Sequence, residues 1–254
     1  MTNSQLKRYA SLKQKKYRRE RGLFIADGPH LVQESVNSDW KIKKIIIRYE
    51  NRDFIETLTL PEQLVAITNS TKFDRLSPSK TPQGILAVVK IKDFKKDIRS
   101  LIKKARQIVV ADNISDPGNL GTIIRTAAAF DYDLVACVGN CAEIYNPKTV
   151  RSTQGGIFTL PVVDIGKPAE FLKLFGDQFN IVTFSGKAKK WLSKAPRIKR
   201  PALVFGGETS GVSPAIEAKA DYRFKIEQSK KVESLNAAVA AGVAMYKFYR
   251  GYWK

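Results

Sequence analysis

The sequence predicts an α/β protein in two domains, and three observations predict it. From Arg106 onward, apolar strands and amphipathic helices alternate, a pattern that gives a largely parallel sheet with helices on both faces. Residues 22–92 carry a shorter α/β pattern of their own. Between the two, residues 93–105 hold the charged, weakly periodic run DFKKDIRSLIKK, which suits a linker or a short helix. At 254 residues and 43% hydrophobic side chains, the chain can bury a core in each part.

Taken in order, residues 4–21 read as one basic helix, with Leu6, Tyr9, Leu12 and the stem of Lys16 on one side, Lys7, Lys13, Lys15, Arg18 and Arg19 around it, and Arg21 at its end. It is either a solvated arm or a grip on phosphate. GLFIAD follows as a strand, PHLVQESVN as a helix, KIKKIIIRY as a strand and GILAVVKI as the strand that closes the domain at Lys92. In residues 106–254 the strands are IVVAD, LVACVG, FTLPVV, FNIVTFS, PALVFG and YRFKI. Helices are expected at Gly121–Phe130, Lys148–Gln154 and Ala169–Leu174, after Ser213, and in the long Ala-rich segment that follows Ser234 as its N-cap.

Charge is the strongest compositional signal. Lys and Arg number 44 against 24 Asp and Glu, a net charge of +20, and such an excess points to a polyanion through counterion release at phosphates. Residues 1–104 hold 23 basic and 11 acidic side chains and the remainder 21 and 13, so both parts are expected to face that polyanion. No apolar run approaches the roughly 18 residues of a membrane span. The N-terminus lacks the apolar segment of a secretory signal, so the expectation is a cytoplasmic protein without membrane attachment.

Cys137 and Cys141 form a lone CxxxC without a neighbouring histidine, a poor metal site, and are read as reduced structural thiols; no metal is expected. A single histidine, His30, and the absence of a nucleophile elbow argue against a Ser/His/Asp hydrolase.

Three loops carry candidate chemistry. In DNISDPGNLGTIIRTAAAF, Asp116-Pro117-Gly118-Asn119 reads as a turn. The helix after it puts Leu120, Ile123, Ile124, Ala127 and Ala128 on one face and leaves Arg125 off it. A helix start beneath a strand end is where anions and cofactors dock in open α/β sheets, so Asn113, Asn119 and Arg125 surround the expected crevice, although the same residues also make a good turn beside a surface arginine. In LVFGGETSGVSP, Gly206, Gly207 and Gly211 permit close backbone approach around Glu208, with Ser213 as N-cap and Pro214 at the first helical position. The pattern is neither GxGxxG nor a phosphate loop. In YRFKIEQSKKVESLNAAVAAGVAMY, Ser234 and Asn236 open a helix of small residues suited to tight packing, at a turn where side chains can address a ligand.

Together the three loops, N-I-x-D-P-x-N-x-G-x-I-x-R-T-A-x-A-F, L-V-x-G-x-E-x-x-G-V-S and V-E-S-L-N-x-x-V-A-A-G-x-x-x-Y, resemble the SpoU (TrmH-like) family of RNA 2'-O-ribose methyltransferases over Gln107–Tyr246. GLFIADGPHLVQES and KTPQGILAVVK resemble the start and end of that family's substrate-binding domain.

The resemblance implies a C-terminal parallel sheet threaded into a trefoil knot, a smaller ribosomal-protein-like RNA-binding domain, S-adenosylmethionine as cofactor, and a homodimer with the site near its interface. Carried over by motif, Arg125, Asn113, Glu208, Ser234 and Asn236 are the catalytic-site residues. Val204, Phe205, Gly206, Gly207, Gly211, Ile226, Gln228 and Leu235 would hold the cofactor, largely by backbone. The basic residues of the arm together with Arg151 would bind RNA, ribosomal before transfer RNA. Because a guanidinium stays protonated in proteins, Arg125 is expected to bind the target phosphate and orient the ribose rather than act as base. The third motif departs from the family's I-P-M-x-G at Ile226-Glu227-Gln228-Ser229-Lys230, and Asn236-Ala237-Ala238 lacks the family's second serine. A catalytically silent RNA-binding protein on the same scaffold is the rival reading.

Overall fold

The computed structural model describes residues 1–57, 62–208, 210–229, 231–232 and 234–249. Lys230 of the departed third motif and the last five residues lie outside them. The chain divides into two compact units, Met1–Lys92 with Tyr145–Thr159, and Asp93–Ile144 with Leu160–Lys254.

The basic arm is two helices rather than one, α1 (Asn3–Ala10) and α2 (Lys15–Arg21). Thr2 and Gln5 cap α1 reciprocally. Gln14 is extended and breaks the periodicity, so Arg18 turns inward instead of facing solvent. It is 2% exposed, and its Nη1 donates to Leu12 O at 2.7 Å and Lys13 O at 2.8 Å, two carbonyls that the break leaves without helical partners. Arg18 is therefore a buried clasp and not the phosphate contact expected of it. Arg21 is also engaged, donating to Arg8 O and to Ser11 Oγ and stacking on Tyr17. Lys7, Lys13, Lys15, Lys16 and Arg19 remain exposed.

After Gly22 at positive φ come β1 (Leu23–Asp27), α3 (Pro29–Asn37), β2 (Ile42–Arg48), α4 (Phe54–Thr57), β3 (Val65–Thr68), α5 (Ser70–Leu76) and β4 (Ile85–Lys90). The sheet order is β1-β4-β2-β3, antiparallel except for β2 with β3. One face buries Leu6, Leu12, Leu23, Ile25, Ile46, Phe73, Leu76, Leu86 and Val88 in a common core.

The second unit begins with α6 (Ile98–Lys104), resolving the expected linker as partly helical, followed by β5 (Ile108–Asp112), α7 (Pro117–Ala129) and β6 (Leu134–Val138). The next helix, α8 (Pro147–Ser152), clusters with the first unit. There Phe24 of β1 meets Tyr145 at 5.0 Å and Phe158 at 6.1 Å, and Trp40 meets Phe158 edge-on at 5.6 Å. These aromatic contacts explain the grouping, since such pairs add about 0.5–1.5 kcal/mol each beyond the area they bury. The chain returns to the second unit with β7 (Val162–Gly166), α9 (Pro168–Phe175), β8 (Asn180–Phe184), β9 (Lys190–Trp191), β10 (Pro201–Gly206), α10 (Pro214–Ala218), β11 (Tyr222–Lys225) and α11 (Ala237–Lys247).

All seven strands pair in parallel, in the order β7-β6-β5-β10-β8-β11-β9. β5 and β6 are buried along their whole length, as strands covered on both faces must be. Gly206 stands opposite Asp112 and Asp112 opposite Val138, so the ends of β10, β5 and β6 lie level along one edge. Cys137 is buried, and Cys141 Sγ donates to Ala111 O and Val138 O at that edge; both thiols are free. No helix among the described residues is long and apolar enough to cross a membrane.

Asp27, at the end of β1, gives the first unit a pH dependence. Burial raises its carboxyl pKa, against the pull of Ser77 and Arg151. A carboxyl whose folded pKa is raised binds its proton more tightly in the folded state. Stability is therefore lost as pH rises from the unfolded value of about 3.9 through the raised one. Asp27→Asn is expected to flatten that part of the stability profile, measured by urea unfolding from pH 3.5 to 7.

Candidate active site

The three motif loops meet at the carboxyl edge of the parallel sheet. α7 starts at Pro117, four residues before the expected helix: Asp116 caps it, its Oδ1 accepting from Asn119 N at 2.8 Å, and Pro117 occupies the first turn. What reads as a turn in the sequence is thus the first turn of the helix. Likewise Asn236, not Ser234, caps α11, with Oδ1 accepting from Ala238 N at 2.9 Å and Val239 N at 3.3 Å. Ser234 is exposed two residues upstream.

These two helix starts bring Asn119 and Asn236 to Glu208 of the glycine loop. Asn236 Nδ2 donates to Glu208 Oε1 at 2.9 Å and to Asn119 Oδ1 at 3.0 Å, and Asn119 Nδ2 donates to the same Oε1 at 3.0 Å. Residues up to 117 positions apart close into one polar triangle. Both amides hold Glu208 Oε1, and its Oε2 accepts from no described residue. α11 runs alongside α7 with Gly242 facing Thr126, and Tyr132 Oη–H donates to Met245 O at 3.3 Å.

Asn113 is placed differently from its expected role facing RNA. Its φ of 58° swings the side chain toward the end of β6, where Oδ1 accepts from Asn140 N at 2.9 Å and Nδ2 donates to Asp112 Oδ1 at 2.8 Å. Asp112 is fully buried, and its Oδ2 accepts from Ser213 N at 2.6 Å, tying the glycine loop to β5. The Asn113 side chain is thus committed to the protein's own loops. Asp112 was not among the expected site residues, although a carboxylate closing the apolar run IVVAD is itself a signal, because a buried charge has to find donors.

The glycine loop folds onto itself. Gly211 N donates to Gly207 O at 2.8 Å, and a Cβ on Gly206 would lie 2.0 Å from Gly211 C. The close approach expected of these glycines is made by the protein's own backbone. Val204 and Phe205 are buried, and Phe205 stacks on Phe184 at 5.0 Å and 8°. Ile226 and Leu235 are half-buried and Gln228 is exposed. Glu227 Oε1 accepts from Ser193 N at 3.0 Å, so it braces a neighbouring loop. Arg125 is exposed on α7, and among the described residues no hydrogen bond or ion pair joins it to the triangle. Six residues along a helix carry it about 9 Å up the axis from Asn119 and onto another face.

Asn236→Ala removes an α11 cap and two sides of the triangle at once. It is expected to cost about 1–2 kcal/mol of stability and roughly 10–100-fold in turnover. Asn236→Asp should recover the cap, read by thermal unfolding, without recovering turnover, because it sets a second carboxylate beside Glu208.

The profile of the SpoU rRNA Methylase family matches residues 106–246, and that of the MRM3-like substrate binding domain matches residues 3–87. The chain is 31% identical over 249 residues to the 23S rRNA (guanosine(2553)-2'-O)-methyltransferase RlmP of Bacillus subtilis, covering 96% of this chain and 95% of that protein. It superposes on the AdoMet-bound rRNA methyltransferase of Sinorhizobium meliloti with a TM-score of 0.84 at 25% identity, covering 99% and 96% of the two chains. The SpoU methyltransferase AviRb of Streptomyces viridochromogenes shares the fold with a TM-score of 0.87 at 24% identity, covering 100% and 99%.

Proposed function

The chain belongs to the SpoU rRNA methylase family, and on that premise we propose that it transfers a methyl group from S-adenosylmethionine to a ribose 2'-hydroxyl of structured RNA, ribosomal before transfer RNA. The observation that carries this reading is the Asn119–Glu208–Asn236 triangle, assembled from all three motif loops at the sheet edge. The net charge of +20 supplies the attraction to a polyanion.

The residues present suit the cofactor. Ile226, directly after β11, and Leu235, two residues before α11, are half-buried, and Glu227 follows Ile226 in the sequence as a carboxylate for a cationic ligand. Two buried hydroxyls, Thr183 Oγ1 and Ser213 Oγ, have no partner among the described residues, and such orphans mark places where water or a ligand supplies the missing bond. When bound, S-adenosylmethionine supplies a methyl group activated by its sulfonium. The chain then has to align a hydroxyl with that methyl and assist loss of its proton. Glu208 Oε2 is the acceptor for the hydroxyl hydrogen, with Asn119 and Asn236 holding the carboxylate still. Ser234, exposed two residues before Asn236, contacts the ribose in this reading, and Asn113 with Asp112 keeps the loops in register. Arg125 binds the target phosphate and sets the position of the ribose.

A homodimer belongs to the same reading. Val239, Val243 and Tyr246, at spacings of four and three on α11, are 53%, 43% and 54% exposed, an apolar stripe that a second copy would cover. Arg125 of one protomer then serves the site of its partner, which reconciles its importance with its distance from the triangle. The trefoil threading and a cytoplasmic location complete the reading. Mapping 2'-O-methylation across total RNA of a deletion strain tests it. One vanished site is expected, whereas an unchanged map together with no calorimetric heat from millimolar S-adenosylmethionine would favour the silent RNA-binding alternative.

A further inference from the structure

A cavity that methyl transfer does not use lies in the first unit. Asp27, Ser79, Thr81, Gln83 and Arg151 line a space of about 260 Å³. The Asp27 side chain is only 6% exposed. Its Oδ2 accepts from Ser77 Oγ at 2.8 Å and lies 3.4 Å from Arg151 Nη2. Its Oδ1 is buried with no partner in hydrogen-bonding geometry; the Ser79 N–H, close enough to pull the Asp27 pKa down, is donated to Ser77 Oγ at 3.0 Å. Buried carboxylate oxygens normally find donors, so one left without a donor beside a cavity is a place for a ligand that brings one. Arg151 is half-exposed and has donors beyond the one aimed at Asp27. Side by side, the two residues offer an acceptor and a donor, the pattern that reads a base edge.

We propose that this cavity takes one unpaired guanine of the RNA substrate, its N1–H and N2–H₂ donating to Asp27 Oδ1 and its O6 accepting from Arg151. Guanine fits better than the alternatives. It presents two adjacent donors to a carboxylate and a carbonyl to a guanidinium, whereas adenine presents one donor and a ring nitrogen, and the single N–H of uracil is flanked by two carbonyls that would repel Asp27. Sequence-specific readers of RNA take such splayed bases by their Watson–Crick edges. The guanine is a recognition nucleotide bound by the first unit and is distinct from the ribose that is methylated. The proposal rests on the reading of the protein as an RNA enzyme. The raised carboxyl pKa of Asp27 accords with it: the site is costly to keep ionised until a donor arrives.

The test uses the full chain and short RNA hairpins whose single unpaired nucleotide is guanosine, inosine, adenosine or uridine, with affinity read by fluorescence anisotropy. Guanosine should bind about tenfold more tightly than adenosine or uridine, with inosine, which lacks the N2 amino group, between them. Asp27→Asn should erase the preference while its thermal midpoint stays at or above that of the parent. Should that variant fail to fold, Arg151→Gln is expected to reduce the guanosine preference in the same way. Equal affinities for the four hairpins, a preference for adenosine, or a preference that survives Asp27→Asn would overturn the proposal. S-adenosylmethionine binding and ribose methylation are measured in parallel. Activity without guanosine preference removes the pocket alone, and absence of both activity and cofactor binding removes the reading on which it rests.

Discussion

Arg125→Ala is expected to lower turnover on RNA by about 10²–10³-fold, the usual loss when one charged or hydrogen-bonding partner of a reacting group is removed. S-adenosylmethionine affinity should hold, because Arg125 stands away from the glycine loop on an exposed turn of α7. If Arg125 serves the site of the partner protomer, two inactive variants will complement each other. Co-expressed Arg125→Ala and Glu208→Ala chains form mixed dimers in which one of the two sites keeps both residues, so roughly a quarter of wild-type turnover should return. No recovery, in dimers shown by mass to be mixed, would place Arg125 and Glu208 in the same chain's site. Arg125→Lys separates anchor from base. An anchor leaves a weaker phosphate contact, a raised KM and an unchanged pH–rate profile, whereas intact RNA binding with lost turnover would argue for the base.

Much of this arrangement is legible in the sequence, and the remainder fails for identifiable reasons. Apolar runs such as IVVA and LVACV reveal a parallel sheet because covered strands lose their alternation. The three motif loops are likewise visible, but their meeting is not. The helix start already places Asn119 at the likely crevice, but nothing local in GNLG indicates that it will reach residues 208 and 236, and among catalytic-site residues the resemblance pointed instead to Asn113, whose positive φ turns it to Asn140. Gln14 shows how a single extended residue reverses a periodicity argument, since the break both splits the arm and draws Arg18 inside. The grouping of Tyr145–Thr159 with the first unit depends on Phe24 and Trp40, more than 100 positions away, and contacts of that range leave no periodic trace.

The glycine loop holds the other large effect, and it separates two glycines that look alike in LVFGGETSG. A Cβ at Gly206 would stand 2.0 Å from Gly211 C, 2.2 Å from Val212 N and 2.3 Å from Gly211 O, all backbone atoms that cannot rotate away. Gly206→Ala must therefore push apart the end of β10 and the segment that returns to Ser213, breaking the Gly207–Gly211 bridge and loosening the hold of Asp112 on Ser213 N. Overpacking of this kind costs about 1–3 kcal/mol. The functional loss should be larger, with Glu208 carried away from Asn119 and Asn236, turnover reduced at least about 100-fold and cofactor affinity falling with it. Gly211→Ala meets nothing within 4 Å and bears only the strain of a φ of +63°, about 1–2 kcal/mol, so its turnover should stay within about tenfold of the parent. Calorimetric titration of both variants with S-adenosylmethionine decides the point. Equal affinities would mean that the contact between Gly206 and Gly211 does not shape the cofactor site.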